Sequence, residues 1–157
     1  MMGGVTGPAG CSSYELEIAI EASQEQVWKA IFSDIDSWWL PEFHVAGANS
    51  KISFDPQPGG PGIMESTPDG GALQWYTVQM HLPSQFKIYL VGYIAPEWGG
   101  QMTSHLMLAV EPTASGCVLK IADARNGNVD EKHVQSYKDG WNQLFTDGLK
   151  KLSLIHI

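Results

Sequence analysis

Positive charge is scarce in this chain: nine Lys and Arg stand against 17 Asp and Glu, a formal net charge of −8 over 157 residues. Neutralising a phosphate backbone, or holding to an anionic lipid surface, takes a cluster of basic side chains. The bases are few and dispersed, two in residues 1–85 and seven in residues 86–157, so nucleic acid and lipid headgroups are poor partners. Cysteine is rarer still. Cys11 and Cys117 lie far apart, and Cys11 falls in the weakly patterned Met1–Ser13 segment, so neither a disulfide framework nor a cysteine metal site is supported. The five histidines share no two-histidine helical spacing, and His81 and His105 fall on strand faces read as outward, which argues against a metal centre.

Other signals are also missing. No apolar run reaches the roughly 18 residues of a membrane span, and the first thirteen residues carry neither the basic nor the apolar region of a secretory signal. A cytoplasmic chain is expected. There is no Gly-x-Ser-x-Gly nucleophile elbow, and Pro58-Gly-Gly-Pro-Gly62 lacks the Lys-Ser/Thr of a phosphate loop and leads into a strand. No metal, nucleotide or other cofactor is expected.

What is present is apolar and turn-rich. With 43% hydrophobic residues, 17% charged residues and 17 glycines, the chain reads as one globular, strand-rich domain over residues 14–157 behind a flexible tail over residues 1–13. Tyr14–Glu21 alternates Leu16, Ile18 and Ile20 with Glu15, Glu17 and Glu21, which predicts a half-buried strand. Ser23-Gln-Glu-Gln26 has the spacing of a capping box, and Val27, Trp28, Ile31 and Phe32 follow at helical intervals. That helix breaks over Ser33–Asp36. A second short turn then carries Trp38 and Trp39, and Pro41 ends it because the residue before a proline leaves the helical region.

Six further strands separated by Gly- and Pro-rich turns follow: Lys51–Asp55, Ile63–Thr67, Leu73–Leu82, Phe86–Ile94, Met102–Glu111 and Cys117–Arg125. A long helix from about Asp130 to at least Leu152 closes the order, with Val134, Tyr137, Trp141, Leu144, Phe145, Gly148 and Leu152 on one face. Such a helix is about 10 Å across and covers only part of a curled seven-stranded antiparallel sheet. The residual space is filled by large side chains, closed by the short helices, or left open as an apolar pocket.

Several of these stretches together resemble a known superfamily: Ile18-x-Ile20-x-Ala22-Ser-Gln-Glu-Gln-Val27-Trp28, then Trp38-Trp39, Gly59-Gly60, Leu82-Pro83, Glu111-Pro112, Gly116-Cys117-x-Leu119-x-Ile121, and Gly140-Trp141. The chain is similar over residues 14 to 152 to the START-like, helix-grip superfamily called SRPBCC. Within it the pattern is nearest to the homologues of the heat-shock-protein-90 ATPase activator. The resemblance implies an α+β helix-grip fold, a curved seven-stranded antiparallel sheet around a long C-terminal helix with two short helices after the first strand. It implies a class of hydrophobic-ligand binders, lipid carriers, polyketide cyclases and stress-related proteins, and no single reaction.

The resemblance also assigns faces. It places Tyr76, Val78 and Met80 inward, with Phe86, Ile88 and Leu90; Leu106, Leu108 and Val110; and Leu119, Ile121 and Asp123, whereas Leu73 and Trp75 fall on the other face. Asp123 therefore continues an apolar face, and a buried carboxylate needs a partner. Arg125, Tyr76 and Tyr137 are candidates; alternatively the strand frays after Ala122 and both charges are solvated. The expected function is binding of a small hydrophobic or aromatic molecule in an internal cavity. Trp39 and Phe43 are placed at its rim, Tyr76, Met80, Ile88 and Leu106 on its sheet wall, Tyr137, Trp141 and Phe145 on its helix wall, with Asp123 as a polar anchor. Trp38 is expected to anchor the turn. Two alternatives stand: a protein-interaction module related to the chaperone activators, with a chaperone or other protein as partner, and a polyketide cyclase/dehydratase-like enzyme needing a second titratable group near Asp123. Ligand identity and oligomeric state are not legible.

Overall fold

The alternating glutamates of the first strand predict an exposed outer face, and the computed structural model, which describes residues 7–94 and 101–155, has that arrangement. Strand β1 (Gly10–Ile20) buries Tyr14, Ile18 and Ile20 and pairs along its whole length with β7 (Gly116–Gly127), from Gly10 opposite Gly127 to Ile20 opposite Cys117. The strand thus starts four residues before the expected boundary at Tyr14. Cys11, expected in a tail, is an exposed strand residue opposite Asn126. Of the rest of the expected tail, residues 7–9 carry no regular structure and residues 1–6 lie outside the described residues, as does Trp98-Gly-Gly100, the turn expected before the strand from Met102.

Ser23 caps α1 (Gln24–Ser33): its hydroxyl accepts from the Gln26 N–H at 3.1 Å, and its own N–H donates to the Gln26 side chain at 3.1 Å. This satisfies two amide donors that a bare helix start leaves unpaired. Helix α2 (Ile35–Trp38) follows after Asp34, and a 3-10 turn over Pro41–Phe43 ends the segment. The remaining strands are β2 (Lys51–Phe54), β3 (Ile63–Ser66), β4 (Ala72–Leu82), β5 (Lys87–Ile94) and β6 (Met102–Thr113). All pairs are antiparallel, in the order β1-β7-β6-β5-β4-β3-β2. Phe86, expected to open β5, is instead a turn residue at φ 51°, packed against Trp28.

The C-terminal helix is continuous but not uniform. It runs as α3 (Glu131–Gln143), widens into a π-type segment over Leu144–Lys150, and ends as α4 (Lys151–Ile155). The wider turn places Leu144 and Leu149, five residues apart, on the same buried face. Gly148 lies on that face directly against α2: a Cβ there would sit 2.1 Å from the Trp38 carbonyl oxygen. Gly148→Val is therefore expected to lever the helix off α2 and cost about 1–3 kcal/mol, read as a lower urea midpoint; an unchanged midpoint would mean the contact is not confining.

Strand β4 departs from simple alternation twice. Its pairing slips between Ile63 and Met64 on β3, and again between Val78 and Met80 against β5. Each slip moves the following residues to the opposite face. Leu73 and Trp75, expected on the far face, therefore share the concave side with Tyr76 and Val78. Met80, expected inward, is 41% exposed. His81, expected outward, turns in and stacks on Trp28 with centroids 6.0 Å apart, beside Phe32 at 5.7 Å. The single-period reading of this strand is corrected by those two bulges.

Candidate functional site

Between the C-terminal helix and the β3–β5 side of the sheet lies a cavity of about 340 Å³. Helix α3 contributes Ser136, Tyr137, Gly140 and Trp141, with Leu144 just beyond its end. Strand β4 contributes Leu73, Gln74, Trp75 and Tyr76; β5 contributes Gly92 and Tyr93; β7 contributes Arg125. Trp39 and Phe43 close it from the segment after α2. Gly92 is required here: a Cβ would come within 2.7 Å of the Tyr76 ring, so only glycine lets that ring lean across β5.

The two neighbouring tryptophans divide their work. Trp38 is 3% exposed, donates Nε1–H to the Ala30 carbonyl at 2.9 Å, and packs on Phe145 at 5.6 Å. It ties α2 to α1 and to the helix. Trp39 donates to the Phe43 carbonyl at 3.2 Å and meets Trp75 at 5.4 Å, which makes it part of the cavity wall. On the other side Tyr76 meets Trp141 at 6.0 Å, and Phe145 stacks behind Trp141 at 5.6 Å. Offset and tilted ring pairs of this kind are favourable beyond their buried area.

Asp123 is the centre of a buried polar network. Strand β7 does not fray after Ala122; it continues to Gly127, paired with β1 and β6 on either side, and Asp123 is 1% exposed. One carboxylate oxygen accepts from the Ser104 hydroxyl at 2.7 Å. The other accepts from Tyr14 Oη at 2.5 Å, Arg125 Nε at 2.7 Å and Trp141 Nε1 at 3.2 Å. Because Ser104 gives its one proton to Asp123, the Tyr76 hydroxyl 2.8 Å away is the donor to Ser104. Burial first, and the Asp123 charge second, push the Tyr14 and Tyr76 hydroxyls far above their ordinary value, so both stay protonated donors. Burial works against the Arg125 charge, but the Asp123 carboxylate beside it, through its charge and its hydrogen bond, holds the guanidinium above its ordinary value. The guanidinium carbon also lies 3.7 Å over the centre of the Tyr137 ring.

A second buried carboxylate supports the opposite wall. Glu65 on β3 is fully buried and accepts from the Val45 N–H at 3.1 Å, the Ala46 N–H at 2.7 Å, the Ser50 hydroxyl at 2.6 Å and Trp75 Nε1 at 3.1 Å. It pins the loop after Phe43 and orients Trp75 with one side chain. Burial pushes its carboxyl up, but the hydrogen bonds from Ser50, Val45, Ala46 and Trp75 outweigh that and hold it below the ordinary carboxylate range. Sequence reasoning missed Glu65, Ser104 and Tyr14. The signal for Glu65 was the same as for Asp123: in Ile63-Met-Glu-Ser66 the carboxylate continues the phase of a buried isoleucine.

The expected site residues are partly gathered. Trp39, Phe43, Tyr76, Tyr137 and Trp141 line the cavity. Asp123 stands behind it, joined to the wall through Arg125 and Trp141. Ile88, Leu106 and Phe145 are buried core residues that the cavity does not reach. Met80, exposed beyond the second bulge, belongs to neither wall. Trp75 and Arg125 take the places these leave. Chemically, both Asp123 oxygens are engaged, and the described wall holds no Asp, Glu or His that could exchange a proton with a ligand. Among the described residues no group of three His, Cys, Asp or Glu could hold a metal, and no helix is long and apolar enough to cross a membrane.

Solved structures share this architecture. Protein MLL2253 from Mesorhizobium loti superposes with a TM-score of 0.63 at 21% identity, over 90% of this chain and 96% of that one. Ara h 8.0201 gives 0.61 at 16%, over 92% and 99%. A point mutant of norcoclaurine synthase from Thalictrum, in complex with a transition-state analogue, gives 0.53 at 19%, over 98% and 99%. At these identities the likeness is one of fold. None of the curated proteins matches the chain. The family model described as Activator of Hsp90 ATPase homolog 1-like protein matches residues 21–153. A match running from the end of β1 into α4, on a sheet that grips its last helix in this way, makes the chain a member of the Activator of Hsp90 ATPase homolog 1-like family within the SRPBCC-type helix-grip proteins.

Proposed function

We propose that this domain takes up a small hydrophobic or aromatic molecule in the cavity beneath its C-terminal helix, as a carrier or sensor. The observation that carries this reading is the wall itself. Trp39, Phe43, Trp75, Tyr76, Tyr137 and Trp141 converge on about 340 Å³, within the range of small-molecule sites, at its lower end. Core packing alone would close such a space, since protein interiors are packed as densely as organic crystals. Instead, Trp75 is held in place by Glu65 and Trp141 by Asp123, so the rings are fixed around the space rather than free to collapse into it.

A binder is favoured over a cyclase or dehydratase because Asp123 is saturated by four donors and no second titratable carboxylate or histidine lies on the described wall. Among the described residues no surface feature favours the chaperone-partner reading. Gly140 supplies the test. A Cβ at this position meets only Phe43 Cε1, at 3.9 Å, so a larger side chain enters the cavity without a clash. Gly140→Leu is expected to gain about 0.5–1 kcal/mol from helix propensity and to lose affinity for a neutral hydrophobic dye about tenfold or more. Native mass spectrometry of the purified wild type should show an apolar compound that the variant does not carry. Undiminished dye binding by a folded Gly140→Leu protein would remove the cavity as the binding site.

A further inference from the structure

The chain of 157 residues contains a single arginine, Arg125, and it stands on the cavity wall. It is the one charged side chain among the described residues of that wall and is only 8% exposed. We propose that the ligand is an acid: a small aromatic or apolar molecule whose carboxylate is received by Arg125 while its body lies among the rings. This rests on the cavity being the binding site, and it adds the chemical class of what binds there.

A guanidinium has five N–H donors in a rigid fork. Arg125 Nε donates to Asp123, and Nη1 rests 3.7 Å from the Met102 sulfur, a weak acceptor. The Tyr137 side chain, whose ring it overlies, is one further hydrogen-bonding neighbour, which still leaves part of the fork without an acceptor among the described residues. Buried donors are normally paired, and a charged group left with several unpaired donors is costly to bury. A carboxylate entering the cavity would supply the missing acceptors through charge-assisted bonds, the strongest available in this chemistry.

The charge balance points the same way. Asp123 is the counter-ion of Arg125, but its oxygens are shared with Tyr14, Ser104 and Trp141, so three further donors draw on the same negative charge. The arginine meets that carboxylate through Nε alone. Its orientation is already set by the Asp123 bond and by the Tyr137 ring 3.7 Å beneath it, so little side-chain entropy remains to be lost on binding. A cationic ligand, which the aromatic faces alone would welcome, is repelled by this group.

The test uses two probes of the same shape, 2-naphthoate and 2-naphthamide, titrated against the full chain at neutral pH by tryptophan fluorescence. The naphthoate is expected to bind about tenfold or more tightly, the difference that charge-assisted pairing to a buried arginine supplies. In Asp123→Asn/Arg125→Met, which removes both charges together and leaves neither buried alone, that preference should fall to about one. Should the double variant not fold, the wild type still decides. With one arginine in the chain, its Nε–H resonance needs no assignment, and naphthoate but not naphthamide should shift it. Equal affinity of the wild type for the two probes, or an unmoved arginine resonance, overturns the acid assignment and leaves the cavity reading intact. Failure of both probes to bind overturns the two together.

Discussion

Asp123→Leu is expected to remove about 3–5 kcal/mol of folding stability, the cost of leaving a buried charge without its partner. The substitution strands Arg125, 8% exposed, and takes the acceptor from Tyr14, Ser104 and Trp141 at once. These partners come from β1, β6, β7 and α3, so the carboxylate is where the sheet is fastened to the helix that it grips. For a domain of this length the loss corresponds to a fall of about 6–20 °C in Tm. The double variant Asp123→Leu/Arg125→Met should recover part of it, because two apolar side chains of similar volume pack without an uncompensated charge. Urea unfolding of the two single variants and the double gives the coupling energy directly. A single variant that costs under about 1 kcal/mol would show that the network is not what fastens the helix.

Glu65 makes the second large prediction, and it is one of pH. The folded protein holds this carboxyl below its ordinary value of 4.5, so protonation is harder in the folded state than in the unfolded. The stability it contributes is therefore fully present above about pH 4.5 and is lost as the pH falls through the depressed folded value. Glu65→Gln sets an amide NH₂ among four donors, from Val45, Ala46, Ser50 and Trp75, and is expected to cost about 3 kcal/mol at neutral pH. The variant should also lose less stability than the wild type on acidification below pH 4.5, since the group that titrates is gone. Parallel acid branches for the two proteins would remove Glu65 as a source of acid sensitivity. Because Trp75 is one of the four donors, its fluorescence should change in the variant as well.

The two carboxylates show how far the chain can be read without its structure. Asp123 is legible because β7 alternates regularly: Leu119, Ile121 and Asp123 share a phase, and all three are buried. Its partners are less so. Arg125 is two residues away and easily proposed, whereas Tyr14 is 109 residues distant and meets Asp123 only because β1 lies against β7. Glu65 is harder, because β3 has four residues and too short a period to separate a buried carboxylate from an exposed one. Strand β4 is the clearest failure of a periodic reading. Two bulges in eleven residues put Trp75 on the cavity, His81 among aromatic rings and Met80 in solvent.

By itself the sequence determined the order of the elements, the capping box at Ser23, the regular faces of β5 to β7 and the aromatic stripe of the last helix, since each follows from local periodicity or from one or two neighbouring side chains. Tertiary structure alone decided which residues of β4 line the cavity and where the single arginine is held. Those outcomes depend on strand register and on hydrogen bonds between residues distant in the chain. A one-residue shift in pairing costs little in local propensity yet reverses every side chain that follows it.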